Sequence, residues 1–142
     1  MLFLLIIAMV LPFASAQVAV KYFNAAPGVL LPGEETNLTL LIENAEDTDA
    51  EGVLVALDLT QAPFVPVWSS SEKALGEIDD HEQERAHFVL KALPTAEPGT
   101  YKIPVIITAN NISKTSLISL EVQAQAQLEV LLDESSDLVL DQ

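Results

Sequence analysis

Four acidic side chains crowd one short segment of the sequence. They are Glu46, Asp47, Asp49 and Glu51, and they follow an apolar run that ends near Glu43. Carboxylate oxygens at such close spacing can bind Ca²⁺, which takes about six to eight oxygen ligands in proteins. The segment lacks the D-x-D-x-D-G order of a dedicated calcium loop. A solvated run of charge is therefore the alternative to a weak calcium site.

The sequence contains no recognisable catalytic constellation. His81 and His87 are its only histidines, and His87 alternates toward the outer side of a predicted strand. Neither a Gly-x-Ser-x-Gly elbow nor a phosphate-binding glycine loop accompanies them. His81 lies within the acidic segment 79–84, for which solvated charge is again the simplest interpretation. The sequence therefore predicts a non-catalytic protein without a resident cofactor.

Two sites fit the pattern for N-linked glycosylation. Asn37 begins the triplet N-L-T, and Asn111 begins the triplet N-I-S. Asn37 is predicted to point outward from a strand and Asn111 to lie in a hairpin turn, so both are accessible in an exported protein. An unmodified polar surface position is the alternative for each.

The N-terminal residues favour export. An apolar run covers residues 1–13 and is followed by Ala14, Ser15 and Ala16, which match the A-x-A cleavage site of a secretory signal peptide. As a helix the run would rise about 20 Å, which is short of the roughly 30 Å hydrocarbon core of a bilayer. The sequence predicts a signal-peptide helix over residues 1–16, a mature chain from Gln17, and an extracellular or cell-surface location.

The charge of the chain excludes several kinds of partner. The sequence has 21 acidic and 6 basic residues, which give a net charge of −15. Nucleic acids and anionic lipid surfaces are bound chiefly through Lys and Arg, so neither is an expected partner. Other envelope proteins, further copies of the chain, or carbohydrate remain as expected partners. Because the sequence has no cysteine, the exported domain must rest on an apolar core alone.

Apolar residues after Gln17 alternate with a period of two, which is typical of antiparallel strands. Residues 64–68 are predicted to lie at a sheet edge, because Pro63 and Pro66 cannot donate ladder hydrogen bonds and make a poor central strand. About seven strands predict an all-β, immunoglobulin-like sandwich of two antiparallel sheets over residues 17–122. Residues 123–142 form a linker and a tail that either adds strands or opens a further module. The predicted core residues are Thr36, Leu38, Leu40, Ile42, Val53, Val55, Leu57, Leu59, Ala86, Phe88, Leu90, Tyr101, Ile103, Val105, Ile107, Ile118, Leu120 and Val122.

Several short sequence motifs resemble those of a known family. They are Pro32-Gly33-Glu34 before a strand, Asn44 at its end, Ala50 and Val53 opening the next, Leu75-Gly76-Glu77-Ile78, Phe88, and Pro98-Gly99-Thr100-Tyr101. Together they resemble the immunoglobulin-like domains of archaeal surface-layer-type proteins and the related bacterial cell-adhesion-related domain. The resemblance implies an extracellular, non-enzymatic β-sandwich in which Asn44 and Gly99 have structural roles. Tyr101 begins a strand at the position where a sandwich often ties its corner through the phenolic hydroxyl.

Apolar residues also occur at positions predicted to face outward. They are Leu41, Leu54, Val89, Ile106 and Leu117. Several such residues on one sheet would form a patch that favours contact with another domain or chain. A register different from the predicted one, or a tail folded back over the patch, is the alternative.

Two functions remain after these exclusions. The first is a structural or adhesion module of the cell envelope that acts through protein contacts. The alternative is a carbohydrate-binding or accessory module, in which Trp68, Phe64 and Tyr22 stack on sugar rings. An exposed Trp68 with polar neighbours favours sugar binding, and a buried Trp68 favours the first function.

Intact mass spectrometry of the secreted product checks export and glycosylation together. We expect a chain that begins at Gln17, because the A-x-A site ends at Ala16. Any additional mass should disappear in the variants Asn37→Gln and Asn111→Gln. A product found inside the cell with Met1 attached contradicts the export prediction.

Overall fold

The computed structural model describes residues 18–125, so the predicted signal-peptide helix and residues 126–142 of the tail lie outside the described residues. Within residues 18–125 the regular elements are nine strands, which confirms the all-β prediction. They are β1 (Val18–Ala26), β2 (Val29–Leu30), β3 (Glu35–Asn44), β4 (Ala50–Leu57), β5 (Phe64–Pro66), β6 (Glu72–Ile78), β7 (Gln83–Ala92), β8 (Gly99–Ala109) and β9 (Ile112–Val122). This part of the chain contains no helix long and apolar enough to cross a membrane.

The strands form two sheets that pack face to face. One sheet has four strands in the order β1-β3-β7-β5, and the other has five in the order β2-β9-β8-β4-β6. The strand pairs are antiparallel except for β2 and β9, which run parallel. The chain therefore changes sheets between β1 and β2, at the cis peptide bond between Ala26 and Pro27 and the following Gly28. This division of the first segment adds one strand, β2, to those predicted from alternation.

The core between the sheets is aliphatic and contains nearly all of the residues predicted for it. Most of the predicted core residues are buried, among them Thr36, Leu38, Leu40, Ile42, Val53, Val55, Leu57, Ala86, Phe88, Leu90, Ile103, Val105, Ile107, Ile118, Leu120 and Val122. Leu59 and Tyr101 are half-buried at its margin. Burying one Val, Leu or Ile side chain contributes about 1.5–3 kcal/mol, so this alternation is the main stabilising term.

A bulge interrupts the alternation in β1. The register against β3 shifts between Val20 and Tyr22, so that Val20 pairs with Ile42 while Tyr22 pairs with Leu41. Because side chains alternate between the two faces of a strand, one extra residue moves every later side chain to the other face. Tyr22 therefore lies on the outer face, where it is 48% exposed.

The proline-bounded strand lies where its composition predicts. β5 pairs with β7 at the edge of the four-stranded sheet. Pro66 is part of this strand and Pro63 directly precedes it, and neither can donate a ladder hydrogen bond. The Pro63 carbonyl instead accepts a hydrogen bond from Leu93 N at 2.8 Å. The predicted edge position is confirmed.

Asn44 is a buried residue that links neighbouring segments at one end of the sandwich. It is 0% exposed, and its Nδ2 donates to the carbonyl oxygens of Thr48, Ile78 and Asp79 at 2.9, 3.0 and 3.2 Å. Its Oδ1 accepts from Glu46 N at 3.1 Å. One buried amide thus joins the β3–β4 loop to the end of β6.

Tyr101 ties the opposite corner. Its hydroxyl donates to the Glu97 carbonyl at 2.6 Å, and its ring meets Phe64 edge to face with centroids 5.9 Å apart. Gly99 starts the same strand two residues earlier with a φ of 158°. The hydrogen bond is the one that a tyrosine corner makes in a β-sandwich.

Replacing Asn44 tests how much this buried amide stabilises the fold. Asn44→Ala should lower the free energy of unfolding by about 2–3 kcal/mol, because carbonyl groups are left buried without donors. Asn44→Asp should be at least as harmful, since it replaces the donor with an oxygen. Urea denaturation measures the change. Asn37→Ala, an exposed asparagine on the same strand, should stay within about 0.5 kcal/mol of the parent protein, and equal effects at both positions would contradict this role of Asn44.

Candidate interaction surfaces

An apolar strip runs across the outer face of the five-stranded sheet. It comprises Leu54, Ala56, Pro104, Ile106 and Leu117, from the three strands β4, β8 and β9. Ala56 pairs with Ile106, and Pro104 pairs with Leu117. Leu117 is 61% exposed, while the other four are half-buried by their neighbours on the sheet. Three of the predicted interface residues therefore share one continuous surface.

The strip is neutral in a strongly acidic chain. On β8 and β9 its flanking cross-strand partners are hydroxyl side chains, with Thr108 opposite Leu54 and Thr115 opposite Ile106. On the other side, Glu72 of β6 pairs with Ala56 and brings one acid to the margin of the strip. The three strands that carry it contain only two of the 21 acids in the sequence, Glu51 and Glu121. An apolar surface with few acidic side chains is where another protein can approach this chain with the least repulsion.

The other two predicted interface residues lie on the four-stranded sheet. Val89 is half-buried on β7, and Leu41 on β3 is only 8% exposed. Leu41 does face outward, but its cross-strand partners are Tyr22 and Arg85, whose long side chains shield it. The predicted shared patch therefore comprises Leu54, Ile106 and Leu117 on the five-stranded sheet, without Leu41 and Val89.

Both histidines border an open cleft on the four-stranded sheet. The cleft has a volume of about 630 Å³ and is lined by Leu41, residues 81–85 and His87. His87 Nδ1 lies 3.0 Å from Thr39 Oγ1, and His81 Nε2 lies 2.8 Å from Asp47 Oδ1. These pairs join side chains that are far apart in the sequence, so only the strand register brings them together.

The four predicted calcium ligands do not gather around one point. Asp47 bonds His81, whereas Asp49 Oδ1 accepts a hydrogen bond from Asp80 N at 2.9 Å. Glu51 lies beside the β8–β9 turn, where its N–H donates to Asn110 Oδ1 at 2.9 Å. Glu46 donates its N–H to the Asn44 side chain, as described above. Within residues 18–125 the close carboxylate cluster is instead Asp49, Glu77 and Asp79, whose oxygens lie within 4.8 Å of one another.

The close cluster changes the acidity of one member. A hydrogen bond with Asp79 and the negative charges of Asp49 and Asp79 raise the pKa of Glu77 above its ordinary value. Elsewhere, hydrogen bonds from Lys21 and Gln83 lower the pKa of Glu43. The neighbouring acids thus disfavour the ionised form of Glu77, whereas the hydrogen bonds from Lys21 and Gln83 stabilise the ionised form of Glu43.

The two glycosylation candidates are both on the surface. Asn37 is exposed on β3, between Ala26 and Val89 on the neighbouring strands. Asn111 is exposed in the β8–β9 turn, where Asn110 and Asn111 have φ values of 50° and 62°. Asparagine tolerates this left-handed backbone better than most residues, which explains the hairpin turn predicted there.

The three aromatic candidates for sugar stacking are separated. Phe64 is 2% exposed and packs in the core, so it cannot stack on a ligand at the surface. Tyr22 lies on β1 and Trp68 follows β5, which are the opposite edges of the four-stranded sheet. Trp68 is 91% exposed and precedes three serines. An exposed Trp68 with polar neighbours is the arrangement that favours sugar binding.

Comparisons with known proteins bear on the fold. No family model matches the sequence, and no curated protein matches it. The structure is similar to native α2-macroglobulin of Escherichia coli, with 22% identity and a TM-score of 0.62 over 78% of this chain and 7% of that one. A crystal structure of the same protein, from domain MG7 to the C-terminus, gives 23% identity and a TM-score of 0.61 over 78% and 17% of the two chains.

A third similar structure is AvmM, which catalyses macrocyclization in alchivemycin A biosynthesis. It is 12% identical, with a TM-score of 0.56 over 80% of this chain and 93% of that one. The fold is an immunoglobulin-like β-sandwich. This chain spans only a small part of the macroglobulin structures, and identities at this level establish the architecture alone. Because one fold carries many activities, function has to be argued from the surfaces.

The carboxylate cluster generates a prediction on pH dependence. A carboxyl group with a raised pKa in the folded state makes its most favourable contribution to stability in acid and loses it as the pH rises through that pKa. Glu77→Gln should therefore raise the melting temperature near neutral pH, and the gain should vanish below the ordinary pKa of 4.5. Thermal unfolding followed by circular dichroism across this pH range measures both effects.

The matched control removes a negative charge elsewhere. Glu121→Gln takes away one exposed carboxylate on β9, outside the cluster. It separates the local repulsion at Glu77 from the general effect of lowering the net charge. Equal gains in both variants would show that the cluster has no special role.

Proposed function

We propose that this chain is an exported, non-catalytic β-sandwich module of the cell envelope that acts through protein contacts. The observation that carries the proposal is the neutral apolar strip on an otherwise acidic protein. The signal-like residues 1–16 support export. A core that needs no disulfide is compatible with any compartment, so the N-terminal pattern is the argument for location.

The partner that fits the strip best is a second copy of the same sandwich. Two copies that each carry a charge of −15 repel one another across most of their surfaces. On the strip the repulsion is weakest, because acids are few on its three strands and Lys102 shares the outer face of β8 with Pro104 and Ile106. A two-fold contact would place each strip against the other, since such an interface uses the same patch twice.

The apolar side chains provide the attraction in this contact. Leu117 projects furthest, at 61% exposed, and the half-buried Leu54 and Ile106 supply a flat surface beside it. Removing apolar surface from water is favourable by about 25 cal/mol per Å². The neighbouring Thr108 and Thr115 carry no charge, so their burial does not require a charged group to lose its hydration. The proposed contact is therefore apolar at its centre and polar at its rim.

Sedimentation velocity of the mature chain tests the proposal. We expect association that increases with protein concentration and also with added NaCl, because salt screens the repulsion between like-charged copies. The double variant Leu54→Ser and Ile106→Ser should be monomeric. Leu117→Ser provides a second variant whose exposed position leaves the folded core intact.

A matched control uses an exposed apolar residue on the other sheet. Val65 on β5 is 40% exposed, and Val65→Ser should associate as the parent protein does. Melting temperatures confirm that each variant is folded. A parent chain that stays monomeric at every concentration and salt level, or strip variants that associate unchanged, would overturn the contact between copies.

A further inference from the structure

Trp68 occupies an unusual position for its residue type. It is the only tryptophan in the sequence and is 91% exposed, although tryptophan side chains are largely buried on average. Its backbone is in the left-handed region, with a φ of 63°. Bulky residues rarely adopt this conformation, and strained backbone is concentrated at functional positions. Neither the core nor the turn geometry calls for tryptophan here.

The loop that carries Trp68 is held at both ends. We define the Trp68 loop as residues 67–71, which connect β5 in one sheet to β6 in the other. Val67 N donates to Val89 O at 2.8 Å, and Ser71 O accepts from Leu57 N at 2.8 Å. The backbone on either side of the indole is thus fixed, so a ligand that stacks on it loses little affinity to ordering of the loop.

A further pair of hydrogen bonds fixes the exit from the loop. Ser70 Oγ accepts from Glu72 N at 2.9 Å and donates to Glu72 O at 3.0 Å. Ser69 and Glu72 are both exposed. The segment that follows the indole therefore offers a hydroxyl and a carboxylate to a ligand within four residues of it.

We propose that Trp68 and its loop form a binding site for an uncharged glycan. The flat face of an indole suits the C–H face of a sugar ring, and the hydroxyl and carboxylate groups nearby can hydrogen-bond sugar hydroxyls. Trp68 is the stacking residue, while Ser69 and Glu72 are the polar contacts.

The negative charge of the chain disfavours anionic ligands at this site. The nearby basic side chain, Lys73, donates its Nζ to His87 O at 3.0 Å and lies 6.0 Å from the centre of the Phe88 ring. Its ammonium group is thus directed at the sheet edge, while Glu72 carries a negative charge next to the loop. With a net charge of −15, the chain repels nucleotides, nucleic acids and acidic polysaccharides.

This site is distinct from the apolar strip but adjoins it. Trp68 follows β5 at the edge of the four-stranded sheet, whereas the strip lies on β4, β8 and β9 of the other sheet. The two surfaces meet at Glu72, which pairs with Ala56. The inference does not rest on the proposed protein contact, and each can fail without the other.

Intrinsic fluorescence offers a direct test, because all tryptophan emission from the chain comes from Trp68. The mature chain is titrated with uncharged hexasaccharides of the cellulose, xylan, mannan and chitin series, and with hexagalacturonate as the anionic probe. We expect a saturable change in emission with at least one uncharged series and none with hexagalacturonate. Added NaCl should leave the uncharged ligand's affinity unchanged.

Variants assign the signal to the site. By calorimetry, Trp68→Ala should weaken binding of the same oligosaccharide at least about tenfold, which corresponds to about 1.4 kcal/mol. Tyr22→Ala, which removes the exposed aromatic residue of the opposite edge, should bind as the parent chain does. Leu117→Ser should also bind the oligosaccharide unchanged, which separates this site from the strip.

Three results would overturn the glycan site. One is the absence of any saturable change with all four uncharged series. Another is oligosaccharide binding that persists unchanged in Trp68→Ala. The third is a Trp68→Ala variant that loses self-association in sedimentation while no glycan alters the emission, because Trp68 would then be a protein contact.

Discussion

The structure depends on the burial of aliphatic side chains between two sheets that no disulfide joins. The sequence contains no cysteine, so Phe88, Ile103 and their neighbours must hold the sheets together by packing alone. Burial on this scale uses one face of every long strand and leaves the other face to water. Thr36 and Asn44 are the buried polar residues within residues 18–125, and both are tolerated because their side-chain polar atoms are hydrogen-bonded. Surfaces and loops are free to vary around this core.

Alternation in the sequence predicts the core well because a strand has only two faces. Leu38 and Leu40 are buried as their spacing requires, and the edge position of β5 follows from its prolines. Alternation does not reveal an inserted residue: Val18, Val20 and Tyr22 are spaced for one face of a strand, but the bulge in β1 turns Tyr22 outward. Prediction also fails for contacts between distant segments. Nothing in the local sequence around Asp49 indicates Glu77 and Asp79 as its neighbours, since the pairing of β4 with β6 brings them together.

The two proposed surfaces follow from one constraint on charge. Acidic residues dominate the chain, so a partner is favoured either where acids are sparse or where it carries no charge itself. The apolar strip satisfies the first condition, and an uncharged glycan at Trp68 satisfies the second. Sequence patterns indicated the outward Leu54 and Ile106, but the exposure of Trp68 could not be read from them. The exposure of Trp68 depends on a left-handed backbone at a non-glycine residue, and the local composition does not predict that conformation.

The direction of the first and last strands has a mechanical consequence. Val18 pairs with Asn44 at one end of the sandwich, while Val122 pairs with Gly99 at the other end. Tension applied between these two points acts along the strands. It loads the hydrogen bonds of β1 with β3, and of β2 with β9, in shear, so that they must rupture together rather than unzip one by one. The sandwich therefore resists extension when the force acts along its first and last strands.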